Sequence, residues 1–291
     1  MLEGPESVSF AAALDAGPVL LDGGLATQLE AQGASLSTAL WSAQLLVDDP
    51  DAIRVVHAAY FAAGAQVATT ASYQAPVPLI PASVRLAMQA RDQCTSDGDR
   101  WVAGSVGPFG ASLADGSEYR GDYGLSIAEL RSWHRPRIAA LVEAGVDVLA
   151  CETIPCLAEV EALLLEVAGS GVPCWLSLTC AANRTRAGEP AYDGFAMARD
   201  VAEVIAVGVN CVDPGQVPGL LGLAAAASGK PGVAYPNRGE RWDPELRAWT
   251  GPGRFSATDV TGWVEAGARL VGGCCRVGPA DIAGMRAALI D

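Results

Sequence analysis

Lysine is almost missing from this chain: it occurs once, at Lys230, and Lys plus Arg number 19 against 33 Asp plus Glu. The resulting net charge of -14 argues against nucleic acid and anionic membranes as partners, because both need a basic footprint. Histidine occurs twice, at His57 and His134, each inside a helical period where a core or surface role outweighs metal ligation. No stretch holds the roughly 18 uninterrupted apolar residues that a membrane span needs. The first ten residues carry Glu3 and Glu6 and no positive charge, so they do not read as a signal peptide, and a cytoplasmic location follows. Also missing at any strand-to-helix turn is a nucleotide fingerprint of the G-x-G-x-x-G or G-x-x-x-x-G-K-[ST] kind.

What the chain does have is apolar content. It is 51% hydrophobic and 18% charged over 291 residues, enough for a large core without disulfides. Its eight cysteines are expected to stay reduced in a cytosol, with Cys94, Cys156 and Cys174 as small buried hydrophobes. The adjacent pair Cys274-Cys275 is less easily explained that way.

Short apolar runs alternate with amphipathic stretches from end to end. The runs are 18–22, 66–70, 101–106, 146–151, 174–178, 206–211, 231–235 and 268–273, each bounded by Gly, Pro or polar residues. Strands buried on both faces look like this. Helices are expected between them over 51–63, 127–144, 157–168, 217–227, 258–266 and 281–289, four of them stopped by Gly64, Gly145, Gly169 and Gly267. The acidic run Asp48-Asp49-Pro50-Asp51 reads as a helix start. Strand–helix alternation without a linker implies a parallel sheet, and about eight units favour one closed (β/α)8 barrel over 1–291 rather than an open sheet.

Barrel active sites form at the C-terminal strand ends. Asp22-Gly23-Gly24, Thr70 to Gln74, Cys151-Glu152-Thr153, Asn210-Cys211 and Gly273-Cys274-Cys275 lie there. Cys211, Cys274 and Cys275 thus meet at one rim. Three thiolates suit zinc, and three protein ligands leave its fourth position open. A buried small-residue strand end with an unrelated Cys211 fits the same residues, so spacing alone leaves both readings open. Trp41, Trp101 and Trp175 are read as packing residues. Asp115, Glu118 and Asp122 read either as a solvated loop or as acids facing a cationic substrate.

Nearly the whole chain resembles the zinc-dependent homocysteine S-methyltransferases. The resemblance is carried by LLDGGLATQLEAQG (20–33), LWSAQLL (40–46), VHAAYFAAGAQVATTASYQA (56–75) and VAGSVGPFGASLADGSEYRGDYG (102–124). It continues through HRPRI (134–138), LACETIP (149–155), VGVNC (207–211), YPNRGERWD (235–243) and VGGCCRVGPADI (271–282). The segments SYQA and LADGSEYRGDY are closest to the branch that uses S-methylmethionine.

The resemblance implies one zinc on Cys211, Cys274 and Cys275. It implies Asp22 and Gly23 for the carboxylate of homocysteine, through backbone N–H groups, Glu152 for its amino group, and Tyr73 bordering the metal. The expected reaction moves a methyl group from a sulfonium donor to homocysteine, giving methionine. S-adenosylmethionine or betaine as donor, selenocysteine as acceptor, and a non-enzymatic zinc-storage barrel stay open. Two departures are visible: Pro76 to Pro81 connects the second strand to its helix quickly, and the loop after the seventh strand reads Asn237-Arg238-Gly239-Glu240.

Overall fold

The computed structural model describes residues 8–34, 41–243 and 248–290. Eight parallel strands carry the fold: β1 (Val19–Leu20), β2 (Val67–Thr69), β3 (Trp101–Val106), β4 (Val148–Ile154), β5 (Cys174–Leu178), β6 (Val204–Asn210), β7 (Gly232–Tyr235) and β8 (Ala268–Val271). Each pairs with its sequence neighbours, and β8 pairs with β1. A parallel bridge between Leu21 and Val67, reinforced by Gln66 N–H donating to Leu20 O at 2.7 Å, joins β1 to β2 and closes the cylinder. The expected (β/α)8 barrel is what forms.

The helices follow the strands in turn. After β1 come α2 (Leu25–Ala31), α3 (Leu45–Asp48) and α4 (Pro50–Ala62); after β2, α5 (Ile80–Gln93); after β3, α6 (Ile127–Glu143); after β4, α7 (Leu157–Val167). Then come α8 (Ala191–Met197), α9 (Val217–Ser228), α10 (Asp259–Glu265) and α11 (Pro279–Ile290). Local chemistry explains the starts. Asp49 accepts from Ala52 N–H at 3.2 Å with Pro50 in the first turn of α4, as the acidic run predicts. Ser126 and Glu129 form a capping box at α6.

Two helices escape a reading of periodicity. α8 has seven residues, contains Gly194 and starts beyond a two-stranded hairpin (Cys180–Ala181 with Arg184–Thr185), so it shows no repeat of its own. α1 (Phe10–Ala16) precedes the barrel altogether and is capped by Ser9. It plugs the N-terminal end: Phe10 and Leu14 are buried in the cluster with Val19, Leu21, Trp101, Trp175 and Leu270. The Phe10 ring stands edge-on to Trp101 with centroids 5.5 Å apart. Trp101 and Trp175 are therefore packing residues, as expected, while the Trp41 side chain and residues 1–7 lie outside the described residues. Cys156 and Cys174 are buried as anticipated, but Cys94 is only half-buried at the end of α5. His57 is enclosed without a hydrogen-bond partner, and His134 is buried against Glu159 at 2.8 Å; both are core residues. None of the described helices is long and apolar enough to cross a membrane.

Candidate metal centre and substrate site

Strand pleating sends alternate residues inward, so the barrel interior is a stack of layers. Near the C-terminal end that layer is polar. Glu152 is the centre of it, and it lies within β4 rather than after it, because β4 runs on to Ile154 through an irregularity at which Thr153 takes φ 61°. Ser105 donates to Glu152 Oε1, and the Tyr235 hydroxyl lies 3.1 Å from Oε2. Tyr235 also receives Trp175 Nε1–H at 2.9 Å and meets Ser177 Oγ at 2.7 Å, while Ser177 donates to Asn210 Oδ1 at 2.8 Å. The Ser105 and Tyr235 hydroxyls both donate to Glu152, and both bonds favour its ionised form. Burial outweighs these two bonds and raises the Glu152 pKa to about 7.

Asp22 sits at the end of β1, 4% exposed, and accepts from Thr69 N–H at 2.7 Å and Thr69 Oγ1–H at 3.0 Å. Burial outweighs these bonds and raises its pKa to about 8, with the Glu152 charge adding to the rise. The two acids thus lie close enough to feel each other. Beside Asp22, a Cβ on Gly23 would lie 2.9 Å from the Tyr60 ring and strike Val277 O, so only glycine lets the backbone pass there.

The three cysteines converge as the strand ends require. Cys211 follows β6 in a left-handed conformation, φ 51°, its N–H bonded to Tyr235 O at 3.3 Å. Cys274 N–H donates to Pro236 O at 2.8 Å, and Cys275 N–H to Asn237 Oδ1 at 3.2 Å, lacing the loops after β6, β7 and β8 together. Gly272 permits this: its Cβ would stand 2.7 Å from Leu21 Cβ. The Sγ atoms of Cys211, Cys274 and Cys275 all lie within 4.8 Å of one another, and those of Cys211 and Cys274 touch at 2.50 Å. A tetrahedral ion with thiolate bonds of ~2.3 Å holds its sulfurs about 3.8 Å apart, a spacing inside the 4.8 Å limit of the cluster but wider than the Cys211–Cys274 contact. The Cys275 thiol is pushed up to about 11 by burial, so a cation is needed to draw off its proton at neutral pH. No other group of three metal-ligating side chains occurs among the described residues.

Tyr73 lies in the loop after β2, in reach of the charges of Tyr119, Glu118 and Glu152. Its hydroxyl turns inward to a hydrogen bond with Thr153, and burial raises its pKa well above the usual phenol value. That loop is held by a residue for which no role was expected. Arg137 on α6 is buried, has no carboxylate partner among the described residues, and donates to Ala75 O at 2.7 Å, Ser72 O at 2.8 Å and Tyr73 O at 3.4 Å. Its guanidinium also lies 4.6 Å from the Trp133 ring centroid. Tyr235 and Ser177 were likewise invisible as site residues, their only signal being polarity at inward positions of strands otherwise apolar, whereas Asn210 had been placed at the rim as a strand end.

Asp115, Glu118 and Asp122 separate. Asp115 is exposed and occupied by Ser117 and Arg120, and Asp122 is exposed beside Arg120. Glu118 alone is partly buried, and its Oε2 is enclosed without a hydrogen-bond partner.

The family model described as homocysteine S-methyltransferase matches residues 19–289. Curated relatives include a homocysteine S-methyltransferase of Escherichia coli (strain K12), 43% identical over 92% of this chain and 94% of its own. A homocysteine S-methyltransferase of Bacillus subtilis (strain 168) is 42% identical over 91% and 92%. A selenocysteine Se-methyltransferase of Brassica oleracea var. italica is 38% identical over 94% and 90%. Among solved structures, the homocysteine methyltransferase MmuM of Escherichia coli in its metallated form superposes with a TM-score of 0.83 at 42% identity, covering 93% of this chain and 96% of that one. The oxidized form of the same enzyme gives 0.83 and 42%, covering 93% and 95%.

Proposed function

Because this chain belongs to the homocysteine S-methyltransferase family, we propose that it transfers a methyl group from a sulfonium donor, preferably S-methylmethionine, to homocysteine, giving methionine. The observation that carries the reading is the cluster of Cys211, Cys274 and Cys275 at the same rim as the buried acids Asp22 and Glu152. Soft thiolates at this span suit zinc, and Cys211, Cys274 and Cys275 would hold it with one position left for substrate. When bound, zinc supplies the Lewis acidity that keeps the homocysteine sulfur a thiolate at neutral pH. Thiolate ligands of this kind belong to a reducing compartment, hence the cytoplasm.

The chain's own residues bind and orient. Glu152 meets the homocysteine ammonium, giving up its proton as it does so, and Asp22 adds a second carboxylate nearby. Gly23 N–H donates to no acceptor among the described residues and is free to take the substrate carboxylate. Tyr73, fixed by Arg137, walls the space where the methyl group arrives. The homocysteine sulfur, its proton already lost to solvent, forms the new bond to the methyl carbon. The old carbon–sulfur bond breaks, and its electron pair stays on the leaving sulfur as a neutral thioether. Nothing need remove a proton during transfer, so the protein's contribution is alignment.

A second acceptor, selenocysteine, is favoured by the selenocysteine Se-methyltransferase among the relatives, since a selenolate fits the same metal position. The test is methionine formation by reduced, zinc-loaded protein given homocysteine and methyl-labelled S-methylmethionine, with S-adenosylmethionine and a selenocysteine acceptor run in parallel. Label in methionine that depends on homocysteine is expected. Bound zinc without turnover on any pair would leave a storage barrel, and absence of bound zinc would remove the basis of the reading.

A further inference from the structure

Resting on the methyl-transfer reading, we infer that Glu118 and Arg186 are the two ends of a donor subsite. It takes a sulfonium that keeps a free amino-acid end, Arg186 binding the α-carboxylate and Glu118 the ammonium. Neither residue forms an ion pair among the described residues. Glu118 forms no ion pair among the described residues, and its enclosed Oε2 accepts no hydrogen bond. A buried carboxylate oxygen left this way costs free energy unless a ligand completes it.

Arg186 follows the short hairpin beyond β5. Its Nε donates to Thr179 Oγ1 at 3.2 Å, and Thr179 Oγ1 donates in turn to Cys211 O at 3.3 Å, which ties the guanidinium to the metal rim. Both terminal nitrogens remain without acceptors among the described residues, and no carboxylate pairs with them there. An arginine anchored through Nε with a free fork is built to take a carboxylate with two parallel bonds.

Tyr119 links the two ends to the site. The Arg186 guanidinium carbon lies 5.7 Å from the Tyr119 ring centroid. The Tyr119 hydroxyl also feels the charges of Glu118 and Cys275, so acid, arginine and cysteine surround one ring. That ring, with Tyr73 beside it, offers π-faces to a sulfonium. The homocysteine end is already served by Asp22, Gly23 and Glu152, which leaves this second pair of opposite charges for the second amino acid. A betaine would give Glu118 no N–H to accept.

The full chain, reduced and zinc-loaded, decides this with three probes: S-methylmethionine, its carboxyl methyl ester and its N-acetyl derivative. Each is measured by calorimetric Kd and by KM on wild type, Arg186→Gln and Glu118→Gln. Wild type should lose about tenfold or more in affinity when either group is blocked, as expected for a charge-assisted bond. Arg186→Gln should bind S-methylmethionine about tenfold more weakly and no longer distinguish ester from acid. Glu118→Gln should no longer distinguish acetylated from free amine. An Arg186→Gln protein that still prefers the free acid overturns the inference, as does a loss that appears in the KM of homocysteine instead. Wild type that does not bind S-methylmethionine overturns it too. Binding with the expected pattern but no methionine formed would support the subsite while overturning the methyl-transfer reading.

Discussion

The two ends of the barrel interior are made by the same strands and behave as opposites. Along β5 the inward residues are Trp175 then Ser177; along β3, Trp101 and Ala103 then Ser105; along β4, Val148 and Ala150 then Glu152; along β7, Val233 then Tyr235. One step of the pleat takes the lining from apolar to hydrogen-bonding. The N-terminal half is sealed by Phe10 and Leu14 of α1 and serves stability. The C-terminal half holds two carboxylates out of water at raised pKa, which costs free energy in the fold. Stability and chemistry are therefore separated by about two residues of strand, and substitutions should sort the same way.

The largest effect belongs to the rim. Cys275→Ala should lose bound zinc and methyl transfer together, measured by metal analysis and labelled methionine; a variant that keeps both breaks the assignment of ligands. At the opposite end, Phe10→Ala should cost about 3–5 kcal/mol of stability, as large-to-small core changes do, with the KM of homocysteine unmoved. A change in KM as large as the loss of stability would mean that the two halves are not independent.

Glu152→Gln keeps a neutral partner for Ser105 and Tyr235 but loses the charge. The KM of homocysteine should rise about ten- to hundredfold, the value of a charge-assisted hydrogen bond, while zinc stays bound. The smallest effect is on pH dependence. Asp22 and Glu152 have unfolded-state pKa values near 3.8 and 4.5 but about 8 and about 7 in the fold. The folded protein therefore holds protons that the unfolded chain has released, and stability falls as pH rises through these folded values. His57, lowered from 6.5 to about 4, has the opposite slope below pH 6.5, so the clean window is pH 6.5 to 8. There the ligand-free protein should lose up to about 1.4 kcal/mol per pH unit for each proton held, seen as a falling melting temperature. Saturating homocysteine should flatten that slope, and Glu152→Gln should remove its Glu152 part. A flat profile in ligand-free wild type would show that the acids are ionised in the empty site.

Much of the architecture was legible because a parallel strand buried on both faces must be a short apolar run, and its helix must end where glycine stops it. β3 and β5 fall at the residues expected, and α4, α6 and α7 end within one residue of the expected stops. The convergence of Cys211 with Cys274-Cys275 was legible for a related reason: strand ends in a barrel share one rim. The seven-residue α8 was not, since two turns carry too little period to stand out, and neither was α1, whose apolar residues face a barrel mouth rather than a neighbouring strand.

The sequence by itself thus determined the closed barrel, the three-cysteine rim and the acids near it, because each follows from local pattern repeated along the chain. Only the tertiary structure decided which polar groups act together. Glu152 is tuned by Ser105 and Tyr235, Tyr73 is held by Arg137 across tens of residues, and Glu118 and Arg186 have no ion-pair partner among the described residues. Burial and hydrogen-bond satisfaction are properties of the packed surroundings, and no period in the chain records them.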